Sequence, residues 1–157
     1  MSDQEHGPLL GQLADVYRHY LTAVVLHGQA AAETLGQNPT DVYALNVLEL
    51  AGPLTTGSLA ERIGLSQSAT TRLVDRLERA GWVRRGPDAA DRRRVVVEAV
   101  PLTPEQDEEA FGAARRRMAE VFDGFSADEL RVLSRYFEQA APALRAATTE
   151  TRNAARG

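Results

Sequence analysis

The segment between Leu54 and Val100 constrains this chain more than any other, because start and stop signals for two short helices recur there at close intervals. Thr55 can cap a helix from Thr56 to Ile63, and Gly64 stands where a tight turn requires a positive φ. Ser66 can cap a second helix running to about Arg79 and closed by Gly81. Two short helices joined by a glycine-containing turn of this length form a helix-turn-helix. Two strand-like runs follow, Trp82–Arg85 and Arg92–Ala99, the second alternating Val95, Val97 and Ala99 with Arg94, Val96 and Glu98. Gly86-Pro87-Asp88 breaks the chain between them, so the pair reads as a β-hairpin with a basic tip, a wing.

The flanks read as longer helices. From Leu9 to about Gly36, the residues Leu13, Val16, Tyr17, Tyr20, Leu21, Val24 and His27 recur at three- and four-residue steps and form one apolar stripe. Asn38 or Thr40 can cap the next helix, which carries Val42, Leu45, Leu48 and Ala51 on its apolar face and stops at Gly52-Pro53. Beyond the wing, Thr103-Pro104-Glu105-Gln106 combines a cap, a proline at the first helical position and a capping-box glutamine, opening a helix to about Phe122. Ser126 to Glu129 is a second capping box and opens a last helix to about Arg145, with Leu130, Leu133, Phe137, Ala140 and Leu144 on one face. Pro142 is expected to bend or interrupt it, and the polar tail after Thr148 to fray. The fold class is mainly α (α+β): a single domain over 1–157, with a winged helix-turn-helix over 40–100 and flanking helices over 9–36 and 104–152.

Composition narrows the function. The chain has no cysteine, which removes disulfides, zinc–thiolate sites and thiol redox switches. No apolar run approaches a membrane span, and the stretch from Met1 to Pro8 is acidic and not a signal peptide, so the expected location is the cytoplasm. The net charge of −4 is unevenly spread: Ser58 to Arg94 holds nine arginines against five acids, so this segment is +4 and the remainder −8. A basic module on an acidic body suits a polyanionic partner.

On a helical wheel of Ser66 to Ala80, Ala69, Leu73 and Leu77 fall together with Val74 and Ala80 beside them, and Gln67, Ser68, Thr71, Arg72, Asp75 and Arg79 face the other way. Such a polar face is common on solvated surface helices; next to a basic hairpin it also suits double-stranded DNA. Gln67 can pair with adenine, Arg72 with guanine and the Thr71 methyl with thymine, while free N–H groups near Ser66 favour a phosphate. In the wing, Arg92, Arg93 and Arg94 suit a narrow minor groove, with Asp91 expected to hold the Arg93 guanidinium by a forked pair. Thr55, Thr70 and Arg76 complete the candidate DNA-contact set.

The run from Ser58 through Leu65-Ser66-Gln67-Ser68-Ala69-Thr70-Thr71-Arg72 to Gly81-Trp82-Val83-Arg84-Arg85, followed by Asp91-Arg92-Arg93, resembles the multiple-antibiotic-resistance (MarR) regulator family, the Asp-x-Arg wing signature falling on Asp91 and Arg93. The resemblance implies a homodimer joined through the N- and C-terminal helices, 9–36 and 104–152. It also implies an inverted-repeat operator, a repressor more often than an activator, and a small aromatic or anionic effector bound between the dimerisation and reading parts. Tyr17, Tyr20, His27 and Tyr43 are the candidate effector contacts, though amphipathic core packing and dimer contact account for them more simply. The return from Val95 to Thr103 is longer than usual for the family, and the lack of cysteine excludes the peroxide-sensing thiol of some relatives.

Little else in the sequence points to chemistry. His19 and His27 stand eight residues apart, too far for an i, i+4 metal pair, and no metal or cofactor is expected. Trp82 is expected to pack under the wing, and Arg115 to Arg117 to form a solvated face beside Glu108, Glu109 and Glu120. No phosphate loop, nucleophile–base pair or carboxylate pair suggests an enzyme. The rival to a DNA reader is a winged-helix adaptor whose arginines meet an acidic protein; only the DNA reader requires steeply salt-dependent DNA binding.

Overall fold

Helix starts form where a side chain can reach back to an unbonded N–H, and every cap read from the sequence does so. Asn38 Oδ1 accepts from the Asp41 N–H (3.0 Å), Thr55 Oγ1 from Ser58 (3.1 Å), Ser66 Oγ from Ala69 (3.2 Å), Thr103 Oγ1 from Gln106 (3.2 Å) and Ser126 Oγ from Glu129 (3.3 Å). The computed structural model describes residues 3–154, with side chains from Gly7 onward. The elements are α1 (Asp3–Thr34), α2 (Pro39–Ala51), α3 (Thr56–Ile63), α4 (Gln67–Arg79), β1 (Val83–Pro87), β2 (Val95–Ala99), α5 (Pro104–Asp107), a π-turn (Glu108–Gly112), α6 (Ala113–Phe122) and α7 (Ala127–Ala154). Gly64 (φ 71°) ends α3 and Gly81 (φ 80°) ends the turn after α4, both in the left-handed region where a Cβ is penalised.

The described residues form two compact units, one up to Phe111 and one from Gly112. In the first, the core draws Leu45 and Leu48 from α2, Leu59 and Ile63 from α3, and Leu73, Val74 and Leu77 from α4, closed by Val83 and Val97 of the strands. Trp82 packs against this cluster half-buried, as expected. The inward face of α4 is rotated slightly from the wheel: Ala80 is exposed, and Thr70 is fully buried in its stead.

The ribbon differs from the sequence reading at its tip. Gly86 and Pro87 do not break the hairpin; they pair with Val96 and Val95 at the end of an antiparallel register that runs from Val83↔Ala99. Arg92 to Arg94 lie in the connecting turn and not in the second strand. Val96 and Val97 are both buried, so the strict alternation fails there. On its far edge β2 is covered by Leu54, just before α3, which exchanges both hydrogen bonds with Val97 (3.0 and 2.7 Å).

α1 begins at Asp3, earlier than Leu9, with Pro8 inside it. Only its C-terminal end is in the core, through Ala31 and Ala32; Leu9, Leu13, Val16, Tyr20, Leu21 and Val24 of the expected stripe or its start are exposed. In the second unit, α7 passes Pro142 without interruption and runs to Ala154, past both the expected end at Arg145 and the expected fraying after Thr148. Thr148, Thr149 and Thr151 return their hydroxyls to the carbonyls four residues back, which satisfies them within the helix. Val121, Phe122, Val132, Tyr136, Phe137 and Leu144 are exposed on α6 and α7. Among the described residues no helix is long and apolar enough to cross a membrane.

Leu48→Ala, which empties a fully buried position, should cost about 2–5 kcal/mol in urea unfolding. A loss below ~1 kcal/mol would contradict the core as described. The Ser126 hydroxyl and N–H hold the Glu129 carboxyl below the usual glutamate value. Its contribution to the cap is complete above the pKa of an unfolded glutamate and is lost as pH falls through the lower native one. A carbon-detected NMR titration should therefore place Glu129 below a glutamate in an unstructured peptide; a midpoint at or above that reference contradicts the cap.

Candidate nucleic-acid interface

α4 presents Gln67, Ser68, Thr71 and Arg72 to solvent, and Ser66 caps its start. The Thr71 hydroxyl is spent on the Gln67 carbonyl (3.0 Å). Gln67 Oε1 lies over the start of α3, where a Cβ on Gly57 would stand 3.7 Å from it. Arg72 has no side-chain partner among the described residues.

The sequence-derived contact set needs revision at several places. Thr70 cannot reach a ligand: it is fully buried and its hydroxyl donates to the Ser66 carbonyl (3.0 Å), as i to i−4 geometry dictates on the inward face. Arg76 stands one turn after Arg72, rotated by about 40°, which carries it to α2. There its Nε donates to Asp41 Oδ2 (3.1 Å) and its Nη2 to Oδ1 (2.5 Å). Asp41 is buried, and Asn38 Nδ2 also donates to it (2.7 Å), so Arg76 serves as the counter-ion of an interior carboxylate. That hydrogen bond raises the Arg76 pKa, against a smaller opposing effect of burial. Thr55 likewise engages its hydroxyl with Ser58, accepting from its N–H and donating to its Oγ (3.0 Å).

The wing tip is ordered by two aspartates acting on backbone. Asp88 Oδ1 accepts from the Ala90 N–H (2.8 Å) and Asp91 Oδ1 from the Arg93 N–H (3.0 Å), each two residues on, as in an Asx turn. The Arg94 N–H donates to the Asp91 carbonyl (2.9 Å), and the Asp88 N–H to the Arg94 carbonyl (2.9 Å). The forked pair expected between Asp91 and the Arg93 guanidinium is absent. A side chain as short as aspartate reaches the nearby N–H first, and the guanidiniums of Arg92, Arg93 and Arg94 are left exposed, without partners among the described residues.

Acidic groups that would repel phosphate are consumed nearby. Arg85 on β1 bridges to Asp75 Oδ1 (2.6 Å) and to Glu78 Oε2 on α4, and its N–H donates to Glu78 Oε1 (3.2 Å). Burial alone would lower the Arg85 pKa, but these two carboxylates outweigh it and the net shift is upward. Arg84 pairs across the ribbon with Glu98 (3.0 Å), its register partner. The sequence reading missed Asp41, Glu78 and Arg85. Asp75 and Glu78 share a helix face at i, i+3, a spacing that signals a common partner without saying which.

A cavity of about 520 Å³ opens between α1 and α2 on the other side of the helix-turn-helix core. Val24, Val25 and Gly28 of α1 face Val42, Tyr43, Asn46 and Glu49 of α2 across it, and Leu102 and Phe111 close it. Of the four effector candidates, Tyr43 lines this space; Tyr17, Tyr20 and His27 do not, although the His27 ring packs edge-on to Phe111 (6.3 Å). No cluster of metal-ligating side chains is present among the described residues.

The MarR family model matches residues 35–94. The chain is 40% identical over 124 residues to the HTH-type transcriptional regulator YcgE of Bacillus subtilis, covering 79% of this chain and 73% of that one. It resembles the structure of a MarR family protein from Bacillus stearothermophilus, with TM-score 0.66 and 26% identity over 92% of this chain and 98% of that one. A likeness in fold extends to an S. aureus MepR variant bound to an oligodeoxyribonucleotide, with TM-score 0.55 and 16% identity over 84% and 97%.

Arg76→Ala leaves the buried Asp41 carboxylate without its cation. The half-exposed guanidinium already shares its charge with water, so the loss should be about 1–3 kcal/mol in urea unfolding. An unchanged midpoint would show that Arg76 is not needed there.

Proposed function

The chain belongs to the MarR family and is a DNA-binding transcriptional regulator, and from that premise we propose that it reads an inverted-repeat operator as a homodimer and represses transcription until a small effector binds. The role involves no catalysis. α4 enters a major groove, with Gln67, Ser68, Thr71 and Arg72 at the base edges and the first N–H groups of the helix on a phosphate. The Asp91–Arg94 turn enters the adjacent minor groove, where negative potential is deepest.

One observation carries this reading. Arg76 and Arg85 are held by acids of α2 and α4, while Arg72 and Arg92 to Arg94 have no partner among the described residues and stand on the helix and the ribbon that would meet one duplex. Asp91 is then a shaper of the wing backbone, not an anchor for a guanidinium. Residues 9–36 and 104–152 form the dimerisation region; the exposed apolar side chains of α1 and α7 supply the surface that a second copy would cover. The two reading helices would meet half-sites about one helical turn, roughly 10 base pairs, apart. Occlusion of a promoter by the bound dimer accounts for repression, and its DNA partner places it in the cytoplasm. The cavity beside Tyr43 is the effector site, and a ligand there biases the dimer between geometries of different half-site spacing.

Gel shifts over genomic fragments test the reading. Arg72→Ala should cost about 1–3 kcal/mol on the best site and blur base choice at one position, whereas Arg93→Ala should weaken all sites more evenly. Wild-type affinity in both variants, or binding insensitive to salt, would overturn it. Asp91→Asn preserves the Oδ1 acceptor and removes a negative charge, so it should bind DNA at least as well as wild type, while Asp91→Ala should bind more weakly. The reverse order would contradict the backbone role given to Asp91.

A further inference from the structure

We infer that the cavity between α1 and α2 takes an aromatic cation, in contrast to the anionic effectors that the family resemblance suggests. The inference rests on the effector reading above and assigns the charge of what that site accepts. The walls are largely aliphatic, and Tyr43 and Phe111 add aromatic surface suited to a flat ring or to a cation above it. The charged side chain in the lining is Glu49. No arginine lines the cavity, and the sequence contains no lysine at all. An anion would therefore leave water for an apolar space whose formal charge is of the same sign, without a donor cation to meet it.

Glu49 is also unengaged: it is exposed and has no hydrogen bond or ion pair among the described residues, unlike Asp41 two turns earlier on the same helix. Asn46 and Glu49, at i and i+3 on α2, place an amide and a carboxylate side by side at one wall, a pair that accepts hydrogen bonds from an ammonium or amidinium group. Opposite them, Gly28 sits in the interior of α1, where glycine is less favourable than alanine by about 0.5–1 kcal/mol. A Cβ built on it meets nothing within 4 Å, so the missing side chain leaves room in the cavity and is not demanded by packing. The volume is that of a pocket for a drug-sized molecule.

Isothermal calorimetry with a matched pair of probes tests the assignment: (2-naphthylmethyl)trimethylammonium and 2-naphthoate, which share a ring system and differ in charge. The cation should bind about tenfold tighter or better, the attraction expected a few ångströms from a partly solvated carboxylate. Glu49→Gln, a surface substitution, should bring the two probes to parity, and Gly28→Leu, whose side chain projects into open space, should abolish binding of both. Equal or tighter binding of the naphthoate, excluded by Gly28→Leu, would overturn the cationic assignment and leave the effector site standing. Cation binding that Glu49→Gln does not weaken would likewise overturn it. Failure of both probes to bind at millimolar concentration would overturn both the assignment and the effector reading of this cavity.

Discussion

The grip of Arg85 on Asp75 and Glu78 sets the arrangement on which the rest depends. Ion pairs this exposed contribute little to stability by themselves. Their value is geometric: a planar guanidinium held by two carboxylates of one helix, with the adjacent N–H on the same glutamate, fixes the first strand of the ribbon against α4. The same contact neutralises two negative charges on α4. Between Ser58 and Arg94 nine arginines outnumber the acids by four, but the local excess matters less than its placement, with Arg76 and Arg85 engaged by acids of α2 and α4 and Arg72 and Arg92 to Arg94 unpaired among the described residues at the helix face and ribbon tip.

What was legible in the sequence was local. Caps at Asn38, Thr55, Ser66, Thr103 and Ser126 involve partners within three residues, and the glycine stops report a backbone angle of their own position. The helix-turn-helix and the ribbon followed from these. What escaped was set by distant partners. Arg76 and Asp41 are thirty-five positions apart, and nothing in the periodicity of α4 distinguishes an arginine aimed at solvent from one aimed at a buried carboxylate. The far edge of β2 is paired by Leu54, which the sequence presents as a helix-flanking residue and not as a strand. Thr70 reads as a surface hydroxyl because a wheel cannot show how far a neighbouring element reaches. The wing signature points correctly to Asp91 as important to the turn and wrongly to the Arg93 side chain as its partner.

α2 joins the cavity to α4. Near its start, Asp41 holds Arg76 of α4; over the next two turns, Tyr43, Asn46 and Glu49 form a wall of the cavity. A helix this short moves as a rigid rod, so a ligand that displaces the cavity wall displaces Asp41 as well, and with it the anchor of α4. Coupling of this kind needs no chain of side-chain rearrangements, only one element that lines the cavity and also holds α4.

The Leu54–Val97 exchange has a consequence for the opposite side of the ribbon. Because Val97 turns its N–H and carbonyl away from β1, its register partner Arg85 must turn its own outward too, and Pro87, two residues on, shares that orientation. The Arg85 N–H is occupied by Glu78, and Pro87 has no N–H to offer. The free margin of the sheet is thus almost stripped of donors, which denies a foreign strand the ladder it would need to zip on. A hairpin that must project into solvent is in this way guarded against aggregation by the same contacts that aim it.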